Sequence, residues 1–224
     1  YHEYSLTACG PLNARAAEVC RKGALIKTDE GGYGCIQPWP ELGDATLQEE
    51  LDALRKGRPL PLGLRAAECA RTDGEARARG VSLFDGLHIP ESHATLPSCV
   101  SPATIRIMEA KGFKAGKIKA SANLAAALER LTMLASMVPS WRWRLDFNGS
   151  LNENDALKFW KSLPHHLKTR IDFIEDPCPF SIQSWERLVD AGMPLALDMG
   201  SDVEHQPAIS SDLPIIRIVK PARE

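Results

Sequence analysis

The sequence predicts an α/β fold, with a small α+β unit over residues 1–80 and alternating strands and helices over residues 81–224. Three observations lead to this prediction. A hairpin signal followed by two helical patterns occupies the first part. Strand and helix patterns then alternate roughly every 20–30 residues, which is typical of a parallel sheet. A polar or charged residue stands near the end of one predicted strand after another.

The first part begins with a predicted β-hairpin. Ala24–Thr28 and Tyr33–Gln37 are rich in strand-forming residues, and the two glycines between them favour a turn. Two helices are predicted to follow. Asp44 can cap the first, whose leucines keep helical spacing, and the second covers Arg65–Arg79.

After residue 80 the predicted elements alternate regularly. Val81–Ile89 is predicted as the first strand of this part, and Ser101 with Pro102 marks the start of a helix. For His88 and His93, near the end of that strand, a position in a surface loop is favoured over contact with a substrate. The repeated units predict a parallel sheet, either doubly wound or closed as a β/α barrel. The later predicted strands are 115–120, 142–147, 171–175, 195–198 and 215–220.

The composition excludes several classes of protein. The 224 residues include 27 basic and 29 acidic side chains, with a formal net charge of −2, whereas nucleic-acid and membrane-surface binders usually carry a basic excess. No apolar run approaches the roughly 20 residues of a membrane span. The six cysteines are scattered, which is typical of reduced thiols. We therefore expect a cytoplasmic protein without a nucleic-acid or membrane partner, and its oligomeric state stays open.

Seven polar or charged residues lie at or just after the ends of the predicted strands beyond residue 110. In a β/α barrel the carboxyl ends of the strands converge on one mouth, which holds the active site. Residues far apart in sequence would therefore meet there. Any one of them alone would be interpreted as a solvated strand end, but their recurrence in each unit favours a shared site. They are Lys117, Lys119, Asp146, Asn148, Glu175, Asp198 and Lys220.

The chemistry of this set indicates a metal-assisted proton transfer. Asp146, Glu175 and Asp198 offer the oxygen ligands that Mg²⁺ prefers. Without a cation, repulsion among the three negative charges disfavours their ionised forms. Lys117 and Lys119 are two residues apart and so share one face of a strand. Crowding of their like charges favours a lower proton affinity for one of them, as a general base near neutral pH requires.

These residues lie in motifs that resemble those of the enolase superfamily, in its muconate-lactonizing subgroup. The motifs are Lys-Ile-Lys at 117–119, Asp-Phe-Asn at 146–148, Glu-Asp-Pro at 175–177, Asp198, and Val-Lys-Pro at 219–221. Within the subgroup, the stretches Arg21–Gly34, Arg144–Asn148 and Arg170–Cys178 resemble the o-succinylbenzoate synthase family. The resemblance covers most of the chain. It implies a β/α barrel of the enolase type preceded by an α+β capping domain.

The resemblance also implies a reaction, the dehydration of 2-succinyl-6-hydroxy-2,4-cyclohexadiene-1-carboxylate to o-succinylbenzoate in menaquinone biosynthesis. It implies that Lys119 removes the proton α to the substrate carboxylate, and that Lys220 supports the ene-diolate from the opposite face. Lys117 would add positive charge near the carboxylate, and Asn148 would help to shape the metal site. The implied cofactor is Mg²⁺, for which Mn²⁺ could substitute, and its implied ligands are Asp146, Glu175 and Asp198.

Other functions fit the same residues. Dipeptide or N-acylamino-acid racemisation and muconate cycloisomerisation use the same two lysines, so the motifs do not separate them from dehydration. A non-catalytic metal-binding barrel is disfavoured, because binding alone does not require lysines on both sides of an acidic cluster. Six strands are predicted after the cap, whereas a β/α barrel has eight over about 250 residues. We therefore expect the last two strands to be missing from this chain.

Overall fold

The structure is a computed structural model in which residues 1–8, 19–89, 91–97, 99–198 and 213–218 are described. Contacts between Cα atoms divide the chain into two compact units, the first over Tyr1–Ile89 and the second beginning at Pro90. The stretch 81–89 therefore lies with the first unit. No helix of the described ranges is both long and apolar enough to cross a membrane.

The first unit consists of an antiparallel three-stranded sheet and two helices, with the strands in the order β1-β2-β3. β2 and β3 confirm the predicted hairpin, whereas β1 has no counterpart among the predicted strands. The elements are β1 (His2–Thr7), β2 (Cys20–Lys27), β3 (Tyr33–Ile36), a 3₁₀ turn (Pro40–Leu42), α1 (Leu47–Arg55) and α2 (Pro61–Arg79).

The start of α1 differs from the prediction, because Thr46 and not Asp44 caps the helix. The Thr46 hydroxyl accepts a hydrogen bond from the Glu49 N–H at 3.3 Å, and the Glu49 carboxylate accepts one from the Thr46 N–H at 2.8 Å. This reciprocal pair satisfies two backbone donors at the helix start. Asp44 instead accepts a hydrogen bond from the Trp39 N–H at 2.8 Å and so closes the preceding turn.

Two glycines allow α2 to pack directly on β3. A Cβ atom at Gly34 would lie 1.9 Å from the carbonyl oxygen of Ala66, and one at Gly32 would lie 1.8 Å from that of Ala70. Any larger residue would therefore separate the helix from the sheet. The core formed at this contact contains Ala24, Ile26, Ile36, Leu51, Leu62, Ala66 and Ala70.

The second unit is a parallel sheet of six strands in the order β4-β5-β6-β7-β8-β9, with helices between successive strands from β4 to β8. The observed β5 to β9 lie within the predicted strands. The strands are β4 (Ala94–Leu96), β5 (Ala115–Lys119), β6 (Arg142–Asp146), β7 (Ile171–Glu175), β8 (Leu195–Leu197) and β9 (Ile215–Arg217). The helices are α3 (Pro102–Ala110), α4 (Leu124–Met137), α5 (Glu153–Ser162), α6 (His165–Lys168) and α7 (Ile182–Asp190).

The predicted strand over Val81–Ile89 is wrong. Residues 83–86 form a turn, with Gly86 at φ +73° and the Leu87 N–H bonded to the Phe84 carbonyl at 3.0 Å. Apolar side chains such as Phe84 and Leu87 are exposed and do not cover one face of a sheet. The first strand of the parallel sheet is β4 instead. The apolar composition of this stretch therefore misled the prediction, because the turn at Gly86 interrupts any strand.

One face of the parallel sheet forms the core with the helices, as an α/β fold requires. Ile118 of β5, Leu145 of β6 and Ile174 of β7 are buried in one cluster with helix residues such as Leu131 and Trp185. Side chains alternate along a strand, so the next residues along each strand point to the other face. Within the described ranges β4 and β9 are the sheet edges and do not pair with each other.

Arg170 links the start of β7 to the end of α4. Its guanidinium donates hydrogen bonds to the carbonyl oxygens of Ala135 (3.2 Å), Val138 (2.6 Å) and Trp141 (2.9 Å). Carbonyl groups in the last turn of a helix have no partner within the helix, and an arginine can satisfy them. Arg170 therefore fixes the chain where it enters β6 and β7.

We expect Arg170→Met to lower the free energy of unfolding by about 2–3 kcal/mol, because a charged donor is lost and half-buried carbonyls are left without it. Urea unfolding of the full-length protein measures this change. Arg71→Met is the matched control, since Arg71 is exposed and pairs with Glu75 one helical turn away, and it should cost less than about 0.5 kcal/mol. Equal effects of the two substitutions would contradict the role given to Arg170.

Candidate active site

The register of the parallel strands places predicted site residues side by side. Lys119 of β5 pairs with Asp146 of β6, and Asp146 pairs in turn with Glu175 of β7. All three stand at the carboxyl ends of their strands. Lys117 lies one side-chain position earlier on the same face as Lys119 and is in register with Arg144. The fold therefore brings four of the sequence-predicted residues together at the edge formed by the carboxyl ends of the strands.

A lysine lies between two buried carboxylates at this edge. The Lys117 Nζ atom is 2.9 Å from Asp146 Oδ2 and 2.6 Å from Glu175 Oε2. Asp146 and Glu175 are 5 % and 2 % exposed, so these ion pairs are shielded from solvent. Shielding strengthens the attraction between the charges, which fixes the lysine in this position.

The pKa values at this edge indicate an excess of negative charge. Burial raises the pKa of Glu175, and the charges of Asp146 and Asp198 raise it further against the opposing effect of Lys117. Burial alone would lower the pKa of Lys117, but Glu175 and Asp146 outweigh it and raise that pKa. Neighbouring negative charge thus acts to raise both pKa values, and burial adds to this effect at Glu175 and opposes it at Lys117. Lys117 is therefore a fixed cation, and the lower proton affinity expected from crowding of the two lysines is not found at Lys117.

The donor set fits a divalent cation. Taken alone, Asp146, Glu175, Asp198 and Lys117 carry two more negative than positive charges, and the carboxylates supply the oxygen ligands that Mg²⁺ and Mn²⁺ accept. In the described part of the chain, no group of three or more His, Cys, Asp or Glu side chains is already arranged around a common centre. Lys117 occupies the space between two of the acids instead.

The remaining predicted site residues have different positions. Asp198 follows β8 directly and is close enough to Glu175 to raise its pKa. Asn148 follows β6 with φ +49°, and its main-chain N–H donates to Asp146 Oδ1 at 3.1 Å. Its observed contribution is therefore through the backbone, whereas the prediction concerned the shape of the metal site. Lys220 lies outside the described residues.

The sequence interpretation missed a polar network around Arg144, two residues before the end of β6. His93, interpreted as a surface-loop residue, is half-buried, and its Nδ1 atom accepts a hydrogen bond from Arg144 at 2.8 Å. Arg144 also pairs with Asp172 at 3.1 Å. A register shift in β7 opposite Trp143 and Arg144 accompanies this contact. Nothing in the sequence marks a bulge at this place, so the network could not be predicted.

The surroundings of His93 lead us to expect that the stability of the protein depends on pH. Burial lowers the pKa of His93, and the positive charges of Arg144 and Lys117 lower it further. The unfolded chain thus binds a proton below about pH 6.5 that the folded chain resists. The free energy of unfolding therefore falls as the pH is lowered through that value.

We expect this fall between about pH 7 and pH 5.5 to be smaller in His93→Gln than in the wild type, since glutamine does not titrate. Urea unfolding at several pH values measures it. His88→Gln, at an exposed position, should keep the wild-type pH dependence. If His93→Gln keeps it as well, the effect assigned to His93 is wrong.

Arg130 of α4 is a second residue that the sequence did not reveal. Its guanidinium donates to the main-chain carbonyls of Lys119 (3.2 Å), Leu96 (3.1 Å) and Pro97 (2.7 Å). It thereby ties the carboxyl ends of β4 and β5 together at Lys119. One arginine on a helix has no sequence signal that separates it from the others, because its partners are carbonyl groups distant in sequence.

Two family profiles match the chain in succession. Residues 1–76 match "O-succinylbenzoate synthase, N-terminal domain", and residues 102–206 match "Enolase C-terminal domain-like". The first match falls in the unit that holds the antiparallel sheet, and the second covers β5 to β8, including Asp146, Glu175 and Asp198 at or just after the ends of β6, β7 and β8.

Curated relatives carry one name. An o-succinylbenzoate synthase of Bdellovibrio bacteriovorus is 31 % identical over 229 residues, which cover 100 % of this chain and 68 % of the relative. An o-succinylbenzoate synthase of Yersinia enterocolitica is 28 % identical and is matched over 80 % of this chain and 58 % of its own length. The chain thus spans roughly two thirds or less of the length of these relatives.

Solved structures show the same fold at low identity. A dipeptide epimerase from Enterococcus faecalis, complexed with Mg and a dipeptide, has a TM-score of 0.66 at 17 % identity over 88 % of this chain and 66 % of its own. An o-succinylbenzoate synthase from Thermosynechococcus elongatus, with Mg in its active site, has a TM-score of 0.52 at 23 % identity over 88 % of this chain and 67 % of its own.

The parallel α/β sheet, the enolase-type profile match and the relative at 31 % identity define this chain as a member of the enolase superfamily. Within it, the N-terminal profile and the relative at 31 % identity decide the assignment. The chain belongs to the o-succinylbenzoate synthase family, whose members are enzymes of the lyase class.

Proposed function

We propose that this protein forms o-succinylbenzoate by removing water from 2-succinyl-6-hydroxy-2,4-cyclohexadiene-1-carboxylate, with Mg²⁺, as a step of menaquinone biosynthesis. The observation that carries the proposal is the position of Lys119 in register with two buried carboxylates that share Lys117. A base next to surplus negative charge that a divalent cation can neutralise suits the removal of a proton α to a carboxylate. Family membership supports this choice of substrate.

The residues of the chain divide the chemistry among them. Lys119 takes the proton α to the substrate carboxylate, the bond between carbon and the departing hydroxyl breaks, and the proton on Lys119 leaves with the hydroxyl as water. Lys117 holds Asp146 and Glu175 in place and adds positive charge beside them. Mg²⁺, when bound by Asp146, Glu175 and Asp198, stabilises the negative charge that develops on the substrate carboxylate.

Lys220 completes the proposed set from the opposite face of the substrate, where its charge would stabilise the same developing negative charge.

We also propose that residues 1–80 form a capping domain and residues 81–224 part of a β/α barrel. A cytoplasmic location agrees with the free thiols of Cys20, Cys35, Cys69, Cys99 and Cys178, the cysteines of the described ranges.

Epimerisation of dipeptides or N-acylamino acids is the second candidate, because removing and returning an α-proton uses the same two lysines. The fold of the Enterococcus faecalis epimerase is shared with this chain. The two candidates differ in the step after the first proton transfer. In the dehydration a hydroxyl leaves, whereas in the epimerisation a proton returns to the same carbon.

The full-length protein is therefore assayed with both substrate classes in D₂O containing Mg²⁺. We expect conversion of the cyclohexadiene carboxylate to o-succinylbenzoate, with at most slow deuterium incorporation into dipeptides and N-acylamino acids. Fast incorporation without formation of o-succinylbenzoate would replace the proposed function by epimerisation. No reaction with any of these substrates would contradict both candidates.

A further inference from the structure

Asp176, the residue directly after Glu175, has an unusual backbone conformation. Its φ is +40°, and among the described residues only Asn148 shares a positive φ without being glycine. The left-handed region costs a residue with a side chain roughly 1–2 kcal/mol, so it persists where surrounding contacts enforce it. Asn148 and Asp176 follow the ends of β6 and β7, the strands that carry Asp146 and Glu175.

Hydrogen bonds connect Asp176 to both neighbouring strand ends. Its N–H donates to the Ala196 carbonyl in β8 at 3.0 Å, and its own carbonyl accepts from the Gly149 N–H, after β6, at 2.7 Å. Its side-chain Oδ1 atom accepts from the Asp198 N–H at 3.1 Å. Asp176 is 3 % exposed, so these bonds form out of water. One residue thus links the segments that carry all three proposed metal ligands.

The hydrogen bond from the Asp198 N–H to the Asp176 side chain lies just beyond the end of the pairing between β7 and β8. β8 ends at Leu197, and the register between β7 and β8 ends at the pair of Glu175 and Ala196. Beyond this pair, the Asp176 carboxylate holds the main chain of Asp198. The position of the third carboxylate relative to the second therefore depends on this contact.

We propose that Asp176 is a positioning residue, which sets Asp198 and the segment after Asp146 relative to Glu175 so that three carboxylates can share one divalent cation. This inference rests on the metal site of the proposed function. The left-handed backbone aims the side chain at the Asp198 N–H, so the conformation and the carboxylate act together. The role requires a hydrogen-bond acceptor at this place and does not require a negative charge.

Three substitutions of Asp176 separate the contributions of its acceptor oxygen, its charge and its backbone strain. Asp176→Asn keeps the acceptor oxygen and the shape and removes the charge. Asp176→Gly adopts a positive φ without steric cost and removes the acceptor. Asp176→Ala removes the acceptor and keeps the strain. If the alanine variant fails to fold, the comparison of the asparagine and glycine variants still carries the test, because neither adds steric strain at this φ.

The test is a calorimetric titration of the full-length protein and its variants with Mn²⁺ alone. We expect Asp176→Asn to bind Mn²⁺ within about threefold of the wild type, and Asp176→Gly and Asp176→Ala to bind about 10- to 100-fold more weakly, as is typical when a partner of a metal ligand is lost. Circular dichroism checks that each variant is folded.

Wild-type affinity in Asp176→Gly would overturn the inference, since the acceptor would then be dispensable. An asparagine variant as weak as the glycine variant would also overturn it, because Asp176 would then act through its charge. Absence of Mn²⁺ binding by the wild type would overturn the proposed metal site together with this inference. If the wild type and all three variants bind Mn²⁺ equally well, the positioning role of Asp176 is wrong and the proposed metal site is not affected.

Discussion

Replacing Lys119 by alanine is expected to lower the rate of o-succinylbenzoate formation by about 10²–10⁴-fold, the range that a general acid–base residue contributes. Lys119 both takes the proton and donates it to the departing hydroxyl, so we expect the upper part of this range. Lys117 cannot take over, because its ammonium is fixed between Asp146 and Glu175. The measurement is kcat at saturating substrate and Mg²⁺.

Lys114→Ala is the matched control for this substitution. Lys114 directly precedes β5, and its exposed ammonium pairs with Glu91 at 2.7 Å. An exposed pair of this kind contributes little, so we expect activity within about twofold of the wild type. Lys119 is itself exposed, and Lys119→Ala should keep the wild-type circular dichroism. Normal turnover by this folded variant would show that another group is the base.

Glu175→Gln is expected to cost at least about 10²–10³-fold in kcat/KM, because one ligand of the cation and one unit of negative charge are lost together. Glutamine has nearly the same shape, so packing around this buried position is retained. The Mg²⁺ concentration that gives half-maximal activity should rise as well. Initial rates over a series of Mg²⁺ concentrations measure both effects.

Glu91→Gln serves as the control for the loss of a carboxylate, since Glu91 is 65 % exposed and pairs with Lys114. Its rate and Mg²⁺ dependence should match those of the wild type. If Glu175→Gln also retained the wild-type Mg²⁺ dependence, Glu175 would not be a ligand. Loss of activity with an unchanged Mg²⁺ requirement would assign Glu175 to holding Lys117 only.

Most of the parallel sheet could be predicted because β5, β6 and β7 are short, largely apolar and each followed by a helix start. β5, β6 and β7 are buried along one face and end in charged residues, which marks both their position and their end. Ser101 caps α3 as predicted, and Asn152 caps α5 in the same way. Local sequence suffices in these places, because the caps and apolar periods act over a few residues.

The errors have local physical causes as well. Val81–Ile89 is apolar enough for a strand, but a turn at Gly86 prevents pairing. In β1 the apolar residues are only Tyr4 and Leu6, and the strand is largely exposed, so its apolar pattern is too short to mark a strand. It exists because its backbone pairs with β2. Pairing between distant segments is not visible in a short window of sequence.

The candidate site was predictable where strand ends carry charged residues, and not where contacts cross between elements. Lys117 was expected near the carboxylates, but its bridge between Asp146 and Glu175 depends on the register of three strands. Tertiary packing brings His93 to Arg144. It also allows Arg130 to donate a hydrogen bond to the Lys119 carbonyl. Such contacts have no fixed spacing in sequence.

The most direct test of a metal-dependent proton abstraction at this site is the rate of o-succinylbenzoate formation by the full-length protein after EDTA treatment and after Mg²⁺ is restored. We expect no conversion of the cyclohexadiene carboxylate in EDTA and recovery of the original rate on addition of excess Mg²⁺. The reason is that the cation, when bound by these carboxylates, stabilises the negative charge that develops on the substrate. An undiminished rate in EDTA would contradict the role assigned to Asp146, Glu175 and Asp198.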